Sequence, residues 1–214
     1  MISRLVALVA VSAMCGAGLA APTVDRWQFR VLLDDKEIGF HRYELVEDGE
    51  IRRMNSRAEF DIKFLFFTAF RYRHSLSSEW RGDCLSTLKT ETLSNGKEET
   101  LKGRRQEDSF VVEANGEPVM LPSCVMNFAY WDTRILDQER LLNPQTGEYL
   151  EVNVEVLDTT TVDLGGVEIS ANAYRITAKD MRIDLWYADD DKEWLALESL
   201  LDGGRIIRYE RIRT

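Results

Sequence analysis

The stretch Met54-Asn-Ser-Arg-Ala-Glu-Phe-Asp-Ile-Lys-Phe-Leu-Phe-Phe-Thr-Ala-Phe-Arg-Tyr72 decides the fold. Met54, Ser56, Ala58, Phe60, Ile62, Phe64, Phe66, Thr68, Phe70 and Tyr72 share one side of a period-two pattern, with Arg53, Asn55, Arg57, Glu59, Asp61, Lys63 and Arg71 on the other. Side chains of extended chain alternate between faces, so this reads as strand with one buried and one wet side. Drawn out straight it would span around 60 Å at about 3.3 Å per residue. It must therefore bend, bulge or break, and the place is Phe64 to Ala69, where Leu65 and Phe67 make both faces apolar.

The same period continues outward in both directions. Towards the N-terminus, Trp27, Phe29, Val31 and Leu33 form a strand, Asp34-Asp35-Lys36 turns the chain, and Ile38 to Val46 returns to a tight Asp48-Gly49 hairpin. Towards the C-terminus, Glu79 to Leu93 reads as one strand, Asn95-Gly96 as a hairpin, Arg105 to Asp108 as an interruption, and Phe110 to Glu113 as a strand before Asn115-Gly116. Pro118, Pro122 and Pro144 bound a break in the pattern, expected to be a covering loop with a short helix capped by Asp132 or Thr133 and ended by Asn143-Pro144. Alternation resumes through Tyr149 to Leu157, Ala173 to Thr177, Arg182 to Tyr187, Trp194 to Leu200 and Ile206 to Ile212. Helical periodicity is nearly absent, and the expectation is an all-β single domain of about ten antiparallel strands in a meander.

Residues 1–20 read as a secretory signal peptide: Arg4, an apolar run from Leu5 to Met14, then Gly16, Ala17, Gly18 and Ala20. That run falls short of the roughly 20 apolar residues of a membrane span. Cleavage after Ala20 leaves residues 21–214 as one β domain, periplasmic or secreted and not integral to the membrane. Lipid anchoring at Cys15 is disfavoured because Met14 is large where such a site needs a small residue. An outer-membrane barrel is disfavoured as well, since the alternate faces carry Arg, Lys, Asp and Glu. The chain holds 27 basic and 37 acidic residues for a net charge of −10. That argues against a nucleic-acid partner and against avid binding to anionic headgroups.

With Cys15 removed, Cys84 and Cys124 remain as an even pair in an oxidising compartment, and one disulfide is expected. Closing about 40 residues this way stabilises the fold by roughly 4 kcal/mol on the chain-entropy account. A redox role would want Cys-x-x-Cys spacing, which is missing.

Catalytic signatures are missing too: there is no Gly-x-Ser-x-Gly, His-Glu-x-x-His, Gly-x-x-x-x-Gly-Lys or Gly-x-Gly-x-x-Gly. No catalytic residue, metal ligand or cofactor is assigned. Of the two histidines, His41 lies across the Asp48-Gly49 hairpin from about Ser56, while His74 is some 18 residues further along what reads as a single strand. A site shared by both is not expected unless that strand bends. Asp189, Asp190, Asp191 and Glu193 lack the spaced ligands of a calcium loop and read as an acidic hairpin tip.

The aromatic face has two readings. It is simply the core, or a curved sheet leaves an apolar groove with Phe60, Ile62, Phe64, Phe66, Phe70 and Tyr72 on its floor and Tyr130 and Trp131, with Phe128, as its lid. Leu65 and Phe67 would then mark the entrance or a partner contact.

Phe60-Asp-Ile-Lys-Phe64, Arg71-Tyr-Arg-His74, Glu79-Trp80, Cys84-Leu85, Tyr130-Trp131-Asp132, Leu141-Leu-Asn-Pro-Gln-Thr-Gly147 and Leu185-Trp-Tyr187 together resemble an uncharacterised family of exported bacterial proteins, a domain of unknown function. The resemblance runs from about Trp27 to the end. It implies a strongly curved antiparallel sheet or half-barrel, similar to periplasmic lipoprotein-carrier domains that cup acyl chains, and it implies no activity. The leading functional expectation is a non-enzymatic periplasmic protein binding a lipid or acyl chain on its concave face. The alternative is an envelope accessory protein with a closed core that docks a protein partner, and an enzyme without a recognisable motif stands third.

Overall fold

A computed structural model describes residues 21–64, 67–114 and 116–213. The leader expected at residues 1–20 lies outside the described residues, and so do the side chains of Phe64, Phe66 and Phe67. Eight strands follow one another as an antiparallel meander: β1 (Thr23–Leu33), β2 (Lys36–Asp48), β3 (Ile51–Phe64), β4 (Phe67–Arg81), β5 (Cys84–Ser94), β6 (Lys97–Arg105), β7 (Ser109–Ala114) and β8 (Glu117–Pro122).

A covering segment follows, with a 3-10 turn at Thr133–Asp137 and a small hairpin of β9 (Arg140–Leu142) and β10 (Tyr149–Glu151). The chain then forms β11 (Asn153–Val156), β12 (Thr160–Asp163), β13 (Glu168–Ala178), β14 (Met181–Ala188), β15 (Trp194–Leu200) and β16 (Ile206–Arg211). β16 pairs with β1, so the last strand joins the two meanders into one 14-stranded sheet. Its edges are β8 at one end and β11 with β12 at the other. The sheet curves strongly without closing into a barrel.

The all-β class and single curved sheet stand, but the sheet has fourteen strands rather than about ten. Two ladders that look continuous in sequence are hairpins. The 54–72 ladder breaks where both its faces turn apolar: β3 and β4 pair from Ile51↔Arg81 to Phe64↔Phe67. Glu79 to Leu93 also reverses, at Gly82-Asp83, with Gly82 at φ 58° where a glycine adopts the turn without strain. Pro118 and Pro122 do not end the sheet as expected. They sit in β8, an edge strand, where a missing N–H costs no ladder bond.

The inward face of β3 is buried at Met54, Ser56, Ala58 and Phe60, with exposed Arg53, Asn55 and Arg57 alternating. The outer face is laced with ion pairs such as Arg26–Glu44, Arg53–Glu79 and Arg73–Asp61. Inside the curve the covering segment acts as a plug. Val125, Met126, Phe128, Ile135, Leu141 and Leu142 join Phe29, Trp80, Phe110, Tyr187 and Trp194 in the main core. A backbone bond from Leu85 N–H of β5 to Val125 O (3.0 Å) holds it there, and one from Leu142 N–H to Met126 O (2.8 Å) ties the segment to itself.

The disulfide Cys84–Cys124 ties the start of the plug to β5, with Cα atoms 4.8 Å apart. Asp132 caps the 3-10 turn, accepting from Arg134 N–H, and the turn ends at Asp137 rather than at Asn143-Pro144. Asn143 to Gly147 instead connects β9 to β10. Among the described residues no helix is long and apolar enough to cross a membrane.

Candidate functional site

The plug fills one end of the curve and leaves a cavity of about 550 Å3 beyond it. On one wall stand three cross-strand rows from β2, β3 and β4, which register sets side by side: Tyr43–Ser56–Leu76, His41–Ala58–His74 and, nearer the β3–β4 turn, Phe60–Tyr72. Opposite them are Met181 and Ile183 of β14, Leu197 and Ser199 of β15, and Ile207 and Tyr209 of β16. Phe128 and Tyr130 of the plug cover it, with Asn143, Pro144 and Gln145 beside them. The inner end abuts the packed core. The mouth carries exposed Leu200, Leu201, Asp180 and Gln145.

The wall aromatics are packed against one another. Phe60 stacks on Tyr72 (5.3 Å between centroids) and His41 on Tyr43 (4.1 Å), while Tyr130 leans on Trp194 (5.7 Å). At the inner end the Tyr43 and Tyr209 hydroxyls lie 3.0 and 3.4 Å from His41 Nδ1, and His74 Nδ1 lies 2.8 Å from Thr92 Oγ1. His41 Nε2 is buried and has no partner among the described residues.

Burial sets the charge state of these groups by disfavouring the ionised form. It holds His74 down to about 4. It lowers His41 as well, with the nearby His74 adding to the effect. The Tyr43, Tyr72, Tyr130 and Tyr209 phenols are all pushed up by burial. At neutral pH the wall is therefore uncharged: two neutral imidazoles among protonated phenols.

Of the residues expected on the floor and lid, Phe60, Phe70, Tyr72 and Tyr130 line this cavity, as does Phe128. Ile62 packs in a small cluster with Val31, Leu33, Ile38 and Phe60 and does not line it. Trp131 sits elsewhere, edge-on to Trp80 at 5.8 Å and beneath the Arg52 guanidinium at 5.0 Å.

The histidines are a correction. Because β3 and β4 are a hairpin, His41 and His74 both pair across Ala58, two strand spacings or about 10 Å apart. Among the described residues no three His, Cys, Asp or Glu side chains come together to hold a metal ion. Tyr43, Ile183, Leu197, Ile207 and Tyr209 are cavity residues that the sequence reading missed. Alternation shows that they point inward, but only the β16–β1 pairing shows what they face.

Comparison with solved structures supports the fold. Among solved structures the chain is similar to a beta-barrel-like protein of domain of unknown function DUF1849 from Brucella abortus. The TM-score is 0.64 at 12% identity, over 88% of this chain and 95% of that one, a likeness that speaks for the fold alone. No curated protein matches the sequence. The profile of the domain of unknown function DUF6134 matches residues 29–212, as the resemblance to an uncharacterised family implied, and the chain belongs to that family.

Proposed function

We propose that this protein is exported to the cell envelope and binds an apolar ligand, a lipid or an acyl chain, in the hollow of its curved sheet without chemically altering it. The observation that carries this reading is the cavity of about 550 Å3 lined by Phe60, Phe70, Tyr72, Phe128 and Tyr130. Ligand sites commonly measure about 300–1,000 Å3 and are mostly aromatic and aliphatic with a few polar groups, which describes this lining. The core beside it is close-packed, so a hollow of this volume is space that the fold keeps open rather than a packing fault, which supports the reading.

Export rests on the leader at residues 1–20, with the Cys84–Cys124 bridge consistent with an oxidising compartment. The resemblance to carrier domains points the same way, as an analogy of fold. Native mass spectrometry of the purified mature protein, together with titration by the hydrocarbon dye diphenylhexatriene, tests the reading. A bound amphiphile or saturable dye uptake is expected, and the absence of both would sink it.

Docking of a protein partner has one observation in its favour, the exposed Val119 and Met120 on edge strand β8. Met120→Asp separates the two readings, because it should abolish capture of a partner and spare dye uptake.

A further inference from the structure

Resting on the cavity as a binding site, we infer that its ligand is an uncharged amphiphile carrying a hydroxyl or carbonyl oxygen, held with that oxygen at the inner end against Tyr209. The apolar body then lies under Phe60, Tyr72 and Phe128 and reaches towards the mouth.

Both ends of this cavity carry polar groups, but of different kinds: at the mouth Asp180 and Gln145 stand in solvent beside Phe70, Leu200 and Leu201, whereas the phenol and imidazole groups at the inner end are buried. At the inner end two hydroxyls converge on one ring nitrogen. His41 Nδ1 offers a single hydrogen-bonding direction, a lone pair or an N–H, and Tyr43 at 3.0 Å is its better partner. Tyr209 at 3.4 Å is left with bonding capacity on a ring that borders the cavity. An oxygen on a ligand completes that hydroxyl.

Charge excludes the commoner amphiphiles. Among the described residues the lining holds no Lys or Arg and one carboxylate, Asp180, at the mouth. An anionic headgroup drawn to the inner end would be desolvated with no counter-charge, because the two imidazoles there are neutral. Left at the mouth, it would face Asp180. An alcohol or carbonyl avoids both costs.

Competition for the dye between dodecanol and laurate at neutral pH, on the wild type and on Tyr209→Phe, tests this. Dodecanol should displace diphenylhexatriene at roughly tenfold lower concentration than laurate. Tyr209→Phe should weaken dodecanol roughly fivefold, as loss of one hydrogen bond does, while the affinity for the oxygen-free dye holds and reports an intact cavity. Laurate competing as well as dodecanol overturns the inference and leaves the cavity as a binding site. So does a Tyr209→Phe variant that binds dodecanol unchanged. If the dye does not bind and native mass spectrometry finds no bound amphiphile, both readings fall.

Discussion

Arg52 and Asp132 form an ion pair at 2.6 Å, with side chains only 9% and 6% exposed. The guanidinium also donates to Gly82 O and lies over the Trp131 and Trp80 rings, so a single arginine fastens the plug to β3 and to the β4–β5 turn. The carboxylate has a second partner in Arg134 at 2.6 Å, and Arg134 also pairs with Asp83. The two partners should therefore differ in their cost. Asp132→Ala strands a buried cation and should lower the urea-unfolding free energy by about 3–5 kcal/mol, whereas Arg52→Met leaves Asp132 with Arg134 and should cost clearly less. Equal losses would refute this account.

His74 makes a second prediction at this scale. Its folded value is depressed from 6.5 to about 4, so above pH 6.5 both folded and unfolded chains are neutral and its environment brings no penalty. Below 6.5 the unfolded chain gains a proton that the folded chain refuses, and stability falls until about pH 4. The loss is on the order of 3 kcal/mol. Urea midpoints at steps across that window should fall more steeply in the wild type than in His74→Gln, and parallel curves would exclude the effect.

Among the elements, the β3–β4 hairpin shows how a wrong strand can still give the right faces. Phe60↔Tyr72 and Ala58↔His74 pair even-numbered residues with even, so the alternation counted along one imagined strand survives the reversal. A slip of one residue would have turned every side chain over. β2 crosses β3 closely at Gly39, where a bulge shifts the register against β1 between Val31 and Leu32. A Cβ there would come 1.8 Å from Glu59 O, a backbone atom fixed by pairing. Gly39→Val should therefore cost about 3 kcal/mol or more, seen as a lowered urea midpoint, and a neutral result would mean that the crossing is looser.

The plug is the element the sequence described least well. Its Pro144, aromatic patch and Asp132 cap were legible, but the bond from Leu85 of β5 to Val125 has no local signature. The Cys84–Cys124 bridge spans 40 residues, and Cys84→Ala with Cys124→Ala should cost about 4 kcal/mol in unfolding free energy. Loss of dye uptake at temperatures where the double variant remains folded would show that the bridge also shapes the cavity.

At the scale of the molecule, curvature and plug together leave the cavity, and the proposal of ligand binding is tested by filling it. Ile207 is half-buried on the wall, on β16. Ile207→Trp should abolish dye uptake with little loss of thermal stability, because the added ring enters space that is already there. Retained uptake would move the site elsewhere. The features legible in the residues are local: the period of two, the turns at Asp48-Gly49 and Asn95-Gly96, the even pair of cysteines and which side chains face inward. These follow from backbone geometry and from burial acting on neighbouring residues. The joining of β16 to β1, the placing of His41 and His74 on either side of Ala58, and a hollow beside a filled core appear only in the tertiary structure. Each depends on contacts between residues far apart in the chain, and period-two patterning marks a face as buried without saying what lies against it.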